Sequence, residues 1–380
     1  MDYDHIKIKI SCEMKNGYVW EIRTRILFYI ALCIALVFMM QHSVTWKLPD
    51  FIELLLKYIV LLLSLIRFMA VLPLYTKKEV LFILFFFPII GLIGVKTGNL
   101  NYVFLPFIFG LIAKGLYLKD IIKCYFCWIL IVGTFLCCHM GLLENMVSFR
   151  EEKVRNSFGF IYATDFAAHI FYLVLMYFYL RSGKFNLIEI MLFLYSSFFI
   201  ANQCDARLDS ICIIMIVFFS IYINLTKGRD CYFSGYKYIF PLCALLIIFL
   251  TYLYSTGDDF ILLINFFLSG RLALGFDALM SKGIPLLGQK YIQYGAGSGI
   301  YYNFIDSSYL VLLIIYGIIL FLLVMYVYVR ICSHCISIRN RVLLYVLFMI
   351  AINSMIEQHF MEFAYNPFYM AFSAKLIKST

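Results

Sequence analysis

The sequence predicts an all-α integral membrane protein, and three observations carry that expectation. Hydrophobic residues make up 64% of the 380 and charged residues only 14%, with a mean hydropathy of +0.92, whereas soluble domains run near half apolar and a quarter charged. The apolar residues fall into runs near the ~20 residues that cross a bilayer core as a helix. Lys and Arg are shared unequally between the two sides those runs define. A single polytopic domain, residues 1–380, accommodates all of this, because helices satisfy their own backbone polar groups in lipid.

In chain order, Lys7, Lys9, Lys15, Arg23 and Arg25 precede the first apolar run and are expected to stay cytoplasmic. No small-residue cleavage site follows, so the first helix is expected to remain as an anchor. Candidate spans follow at 26–42, 51–72, 80–95, 100–117, 122–143, 161–180, 187–203, 208–226, 238–255, 308–329, 342–357 and 363–378, giving about 12 transmembrane helices. Pro367 interrupts the last of them, which is expected to be bent or partial. With the amino terminus inside, inner segments hold roughly twice as many Lys and Arg as outer ones, so both termini are expected in the cytoplasm. The net charge of +9 therefore reports topology rather than nucleic acid.

Between spans 9 and 10 lies one larger extracytoplasmic loop, residues 256–307. Asp258, Asp259, Arg271, Asp277, Lys282 and Lys290 interrupt its hydrophobicity. Its run YIQYGAGSGIYYNF offers Tyr291, Tyr294, Tyr301 and Tyr302 as aromatic surfaces for stacking on sugar rings.

Arginines on the outer side oppose the topological rule and need a local reason. Arg150 and Arg155 lie in FREEKVRNSFGF, Arg207 in CDARLDS and Arg271 in LSGRLALGF. Arginine grips phosphate oxygens bidentately, and nearby glycine lets backbone amides approach them. The plainer reading pairs Arg150 or Arg155 with Glu151 or Glu152, and Arg207 with Asp205 or Asp209. That reading is weakest for Arg271, which has no acidic residue within four positions. Among other charges, Glu53 and Lys57 are spaced to pair and Arg67 is placed to snorkel. His139 reads as a packed interfacial residue, and Asp165 and His169 as a local hydrogen-bonded pair.

Of the twelve cysteines, Cys124/Cys127 and Cys332/Cys335 have metal-like spacing. The apolar start of the helix around Cys124 argues against a site there, and no metal is expected. No P-loop, HExxH or GxSxG pattern occurs, which argues against ATP-driven chemistry.

RNSFGF (Arg155–Phe160), LSGRLALGFDALMSKGIPLLGQ (Leu268–Gln289), IDSSYLVLLIIYGII (Ile305–Ile319) and INSMIEQHFMEFAYNPF (Ile352–Phe368), in that order, resemble the Wzy-type polysaccharide polymerases. These enzymes of O-antigen, capsule and exopolysaccharide clusters are related to the O-antigen ligases. The resemblance implies a metal-independent glycosyltransferase in the bacterial cytoplasmic (inner) membrane, using no cofactor, nucleotide or ATP. An undecaprenyl-diphosphate-linked oligosaccharide is transferred onto another repeat unit outside the membrane, and undecaprenyl diphosphate leaves. The implied partners are that lipid-linked donor, membrane lipid, and a chain-length regulator and flippase of the same pathway. Fixed cations stabilise a departing diphosphate, which makes Arg155, Arg207 and Arg271 candidates, with Arg150 in reserve. A base for the incoming hydroxyl is sought among Glu357, His359, Asp306 and Glu362. Three rival readings remain: an O-antigen-type ligase, a lipid-linked oligosaccharide flippase with its cations in a central cavity, and a structural membrane protein without chemistry, which would leave the outer arginines unexplained.

The charge count generates one test. In a cysteine-free background, Lys282→Cys or Ser157→Cys reacts with an impermeant thiol reagent in intact cells, and Arg229→Cys only after the cells are opened. Labelling of Arg229→Cys in intact cells overturns the orientation.

Overall fold

Local sequence sets where many of the helices begin and end. Thr76 and Glu79 form a capping box at the head of one helix: the Glu79 amide donates to Thr76 Oγ1 at 3.3 Å and the Thr76 amide to Glu79 Oε2 at 2.7 Å. Asn186 and Glu189 repeat the device on another, at 2.8 and 2.7 Å. The computed structural model describes residue 20 and residues 23–135, 147–150, 153–226, 234–295 and 302–377. His139, Tyr301, the segment up to Val19, Glu151 and Glu152 lie outside the described residues.

The described residues are mostly helical, 74%. The first helices are α1 (Arg25–Met40), α2 (Asp50–Val71), α3 (Lys77–Thr97), α4 (Leu100–Ile112) and α5 (Leu118–Phe135). A hairpin of β1 (Val147–Arg150) and antiparallel β2 (Lys153–Asn156) follows, with Ser148 opposite Arg155. Next come α6 (Ala163–Leu180), α7 (Leu187–Gln203), α8 (Arg207–Thr226) and α9 (Ile239–Leu253). The last are α10 (Asp259–Phe267), α11 (Arg271–Lys282), α12 (Ser308–Ile314), α13 (Gly317–Ser337) and α14 (Arg341–Asn353).

Among the described residues six helices are long and apolar enough to cross a membrane, or seven if α10 and α11, bent by 106°, form one span. Outward faces are apolar on these helices and on shorter ones as well. On α7, Leu187, Ile188, Met191, Leu192, Tyr195 and Phe198 are exposed while Ser197 is buried and bonded to Ser210 at 2.8 Å. That inversion of the soluble pattern suits a lipid solvent, with small and polar groups packing between helices. Of the six, α6 is the most enclosed and forms the centre of the bundle.

Two expected spans are built differently. The run expected as 308–329 breaks at Ile315–Tyr316, because residues 285–289 cross it and take its hydrogen bonds. The Gln289 amide donates to Ile315 O at 2.9 Å, and the Ile318 amide to Pro285 O at 3.0 Å. Gly288 and Gly317 meet at this crossing with φ of 80° and 88°, and a Cβ on Gly317 would lie 2.5 Å from Gly288 N. The run expected as 363–378 is not an α-helix. After Pro367 it makes only a 3-10 turn, Phe368–Phe372, and then pairs with the chain after α4, with the Lys375 amide donating to Leu116 O at 2.7 Å. It is buried throughout residues 363–371.

Segments 41–49, 157–162 and 203–206 gather at one end of the bundle. The Thr45 amide donates to Gly159 O at 3.1 Å, and Arg155 Nε to Cys204 O at 2.8 Å. At the opposite end Arg67 does not snorkel. It is wholly buried, donating to Thr24 Oγ1 and Lys114 O at 3.0 Å each, so its guanidinium satisfies groups at helix ends. Glu53 and Lys57 pair as their spacing predicts. Ser157 is buried, so Lys282 is the better labelling position of the two.

The Gly288–Gly317 crossing leaves no room for a methyl group. Gly317→Ala is expected to cost about 2–4 kcal/mol through strain and backbone displacement, read as a lower melting temperature in detergent. An unchanged melting temperature would show that the crossing yields.

Candidate functional site

A bend delivers Arg271. Within NFFLSGR, Ser269 and Gly270 take φ of 58° and 83° and turn α10 into α11. Asn265 Oδ1 then accepts from the first-turn amides of Leu272 and Ala273 at 3.0 and 3.2 Å, capping α11 from inside the turn. Arg271 thus starts α11, where the helix dipole disfavours a cation, and remote carboxylates compensate. Its Nη2 donates to Glu357 Oε1 at 3.1 Å, and its Nε lies 3.3 Å from Asp306 Oδ2. The absence of an acidic neighbour within four positions of Arg271 therefore does not leave it without carboxylate partners. Its plainer reading, an ion pair, holds through chain segments 35 and 86 residues away.

Ser308 at the head of α12 fastens the segment that carries Glu357. Its amide donates to Ser354 O at 3.1 Å, and its hydroxyl donates to Glu357 O. Three of the segments singled out in the sequence, around Arg271, Asp306 and Glu357, therefore converge. Nearby, Asn353 Nδ2 donates to Asp209 Oδ1 at 2.9 Å.

His359 sits between two carboxylates. Its Nδ1 is 3.1 Å from Glu362 Oε2 and its Nε2 3.8 Å from Asp165 Oδ1. Its ring stacks on Tyr365 at 4.0 Å, and His169 also stacks on Tyr365 at 4.0 Å. Burial disfavours the imidazolium, yet Glu362, Asp165 and Glu357 together outweigh it and raise the His359 pKa to about 9. Burial also raises the Glu357 carboxyl, against the pull of Arg271. The expected local pair of Asp165 with His169 is not what forms: Asp165 turns to His359, and His169 Nε2 is buried without a hydrogen-bond partner.

Beside this cluster a cavity of about 330 Å³ opens, with Asp165, Glu362, Gln358, Gln293, His42 and Tyr291 among its walls. Arg271 does not line it.

The other expected cations lie at the same end but outside this core. Arg155 on β2 is tied to the turn between α7 and α8 through Cys204 O, beside Asn156 Nδ2, which donates to Gln203 Oε1 at 2.9 Å. Arg207 pairs with Asp205 at 3.4 Å and stays 63% exposed, in keeping with its plainer reading. Arg150 lies on β1, and its side chain is outside the described residues. Sequence reasoning offers Asp209 only as a partner for Arg207, whereas it packs into the core cluster through Asn353. The signal that could have found it is an acid at the head of an apolar run. Cys124 Sγ lies 3.9 Å from Cys33 Sγ, and among the described residues no three His, Cys, Asp or Glu side chains converge as metal ligands.

Compared with protein-family models, with curated proteins and with solved structures, the chain finds no match.

The raised His359 pKa has a definite sign. A cation favoured by the fold contributes stability that is complete below its unfolded pKa of 6.5 and lost as pH rises through about 9. The raised Glu357 acts in the same direction. Thermal stability in detergent is thus expected to fall between pH 6.5 and 9, and His359→Gln to flatten that fall. A wild-type profile that stays level across this range would remove the imidazolium from the cluster.

Proposed function

We propose that this chain is a polysaccharide polymerase of the bacterial cytoplasmic membrane, with about 12 crossings and both termini in the cytoplasm. It joins undecaprenyl-diphosphate-linked oligosaccharide repeat units on the outer face. The reading rests on the resemblance carried by the four sequence segments. One observation supports it above the others: Arg271, Glu357, Asp306 and His359 come together at one end of an apolar bundle, beside a polar cavity.

In the proposed reaction an acceptor hydroxyl oxygen bonds to the donor anomeric carbon. The carbon–oxygen bond to the diphosphate breaks, and its electron pair leaves with undecaprenyl diphosphate. Arg271 stabilises that leaving group. Held by two carboxylates, its guanidinium is preorganised, and a diphosphate competes with Glu357 for Nη2. Donor binding thereby frees Glu357, whose raised pKa suits it to take the hydroxyl proton. His359, whose pKa Glu362, Asp165 and Glu357 raise, serves as a fixed cation rather than a base. Arg155 and Arg207 guide the diphosphate toward the site.

Arg271→Ala is expected to nearly abolish polymer. Arg271→Lys, which keeps the charge without the planar fork, should cut it about tenfold. Both are measured as glycan chain length at matched membrane abundance. Full-length polymer from Arg271→Ala at normal abundance would sink the clamp. Gene deletion separates the rivals: single repeats on the carrier or surface mark a polymerase, long polymer left on the lipid a ligase, and repeats facing inward a flippase.

A further inference from the structure

The walls of the polar cavity differ in charge from the site of Arg271. Two carboxylates, Asp165 and Glu362, line the space, His359 pairs with both, and His42 adds an imidazole whose pKa burial lowers. No Lys or Arg is among its described lining residues. The remaining polar groups are amides and phenols: Asn99, Gln293 and Gln358 with Tyr102, Tyr162 and Tyr291. Gln293 Oε1 is buried with no hydrogen-bond partner, an acceptor awaiting a donor. The volume, about 330 Å³, falls within the range of small-molecule pockets.

This lining suits a polyhydroxylated ring. Carboxylates and an open carbonyl accept from hydroxyl or ammonium groups in charge-assisted bonds, and phenol rings offer flat apolar faces. It suits an anion poorly: Asp165 and Glu362 line the wall, no Lys or Arg is among the described lining residues, and the nearby His359 is already paired with both acids. We propose that the cavity binds the acceptor sugar of the repeat unit that receives the transfer, and that this sugar is uncharged or carries an amine, not a carboxylate. Its role as the acceptor rests on the polymerase reading; the charge preference rests on the cavity walls alone. Phosphate and sugar are thereby held by separate groups of opposite sign: Arg271 for the leaving diphosphate, and Asp165 and Glu362 for the attacking residue.

Full-length protein in nanodiscs is titrated calorimetrically with the methyl glycosides of glucose, galactose, glucosamine, galactosamine, glucuronic acid and galacturonic acid. At least one uncharged or amino glycoside is expected to bind saturably, with both uronides weaker by about tenfold or more. In Glu362→Gln that disadvantage should shrink to about threefold or less. A second measurement needs no knowledge of the sugar. In a cysteine-free background, Gln358→Cys is expected to react about tenfold faster with a trimethylammonium thiosulfonate than with the sulfonate analogue, and adding Glu362→Gln should remove most of that ratio. The assignment is overturned if a uronide binds as tightly as the best neutral glycoside, if no glycoside binds saturably, or if the anionic reagent reacts as fast as the cationic one. Such a failure, with Arg271→Ala still losing polymer, would leave the polymerase reading standing without this sugar site.

Discussion

A guanidinium withdrawn from water has to be answered by negative charge, and at Arg271 two carboxylates from distant parts of the chain answer it. The arrangement ties three otherwise separate pieces together: the bend between α10 and α11, the strand of chain entering α12, and the turn after α14. Removing one partner of such a buried pair leaves an uncompensated charge and costs about 3–5 kcal/mol, so each piece constrains the other two. Ser308 reinforces the same junction through backbone groups of Ser354 and Glu357. The site is thus held by the charges that give it chemical interest.

The two ends of the bundle handle buried arginine differently. Arg67 donates to a hydroxyl and to carbonyls at helix ends, groups fixed in place by the fold itself. Such a cation is locked, and it reads as architecture. Arg271 is held instead by two carboxyl groups, Asp306 and Glu357. His359 shares this character: it is stacked on Tyr365 and flanked by Asp165 and Glu362, one from α6 and one from its own segment. Four pieces of chain, α6, α11, the stretch entering α12 and the segment after α14, therefore bring charge to one end, where the irregular segment after α14 replaces a helix and can present side chains that a regular span would turn toward lipid.

On the proposed reading, this separation of charges has a mechanistic use. A leaving diphosphate needs cations, while an attacking sugar needs acceptors for its hydroxyls and a sink for one proton. Putting both sets in one cavity would let them neutralise each other. In this chain Asp165 and Glu362 line the cavity and Arg271 does not, while Glu357, paired with Arg271, and His359, paired with both wall acids, lie two residues apart.

The sequence by itself determined what depends on composition and near neighbours. Apolar runs of the right length became helices because nothing else satisfies the backbone in lipid. Glu53 paired with Lys57 one helical turn away, and Arg207 with Asp205 two residues back, both with little help from the fold. The gathering of Arg271, Asp306, Glu357 and His359 was legible only as a set of candidates, and their contacts were not. Arg271 meets Glu357 across 86 residues, and no local pattern encodes which remote acid a buried cation will find. The same reason explains the departures. Asp165 left its helical neighbour His169 for His359. The run 308–329 broke where residues 285–289 took its hydrogen bonds, and the run 363–378 found its backbone partners against Leu116. Tertiary structure decided those points, because a segment wrapped in protein can trade helical hydrogen bonds for others, whereas a segment facing lipid cannot.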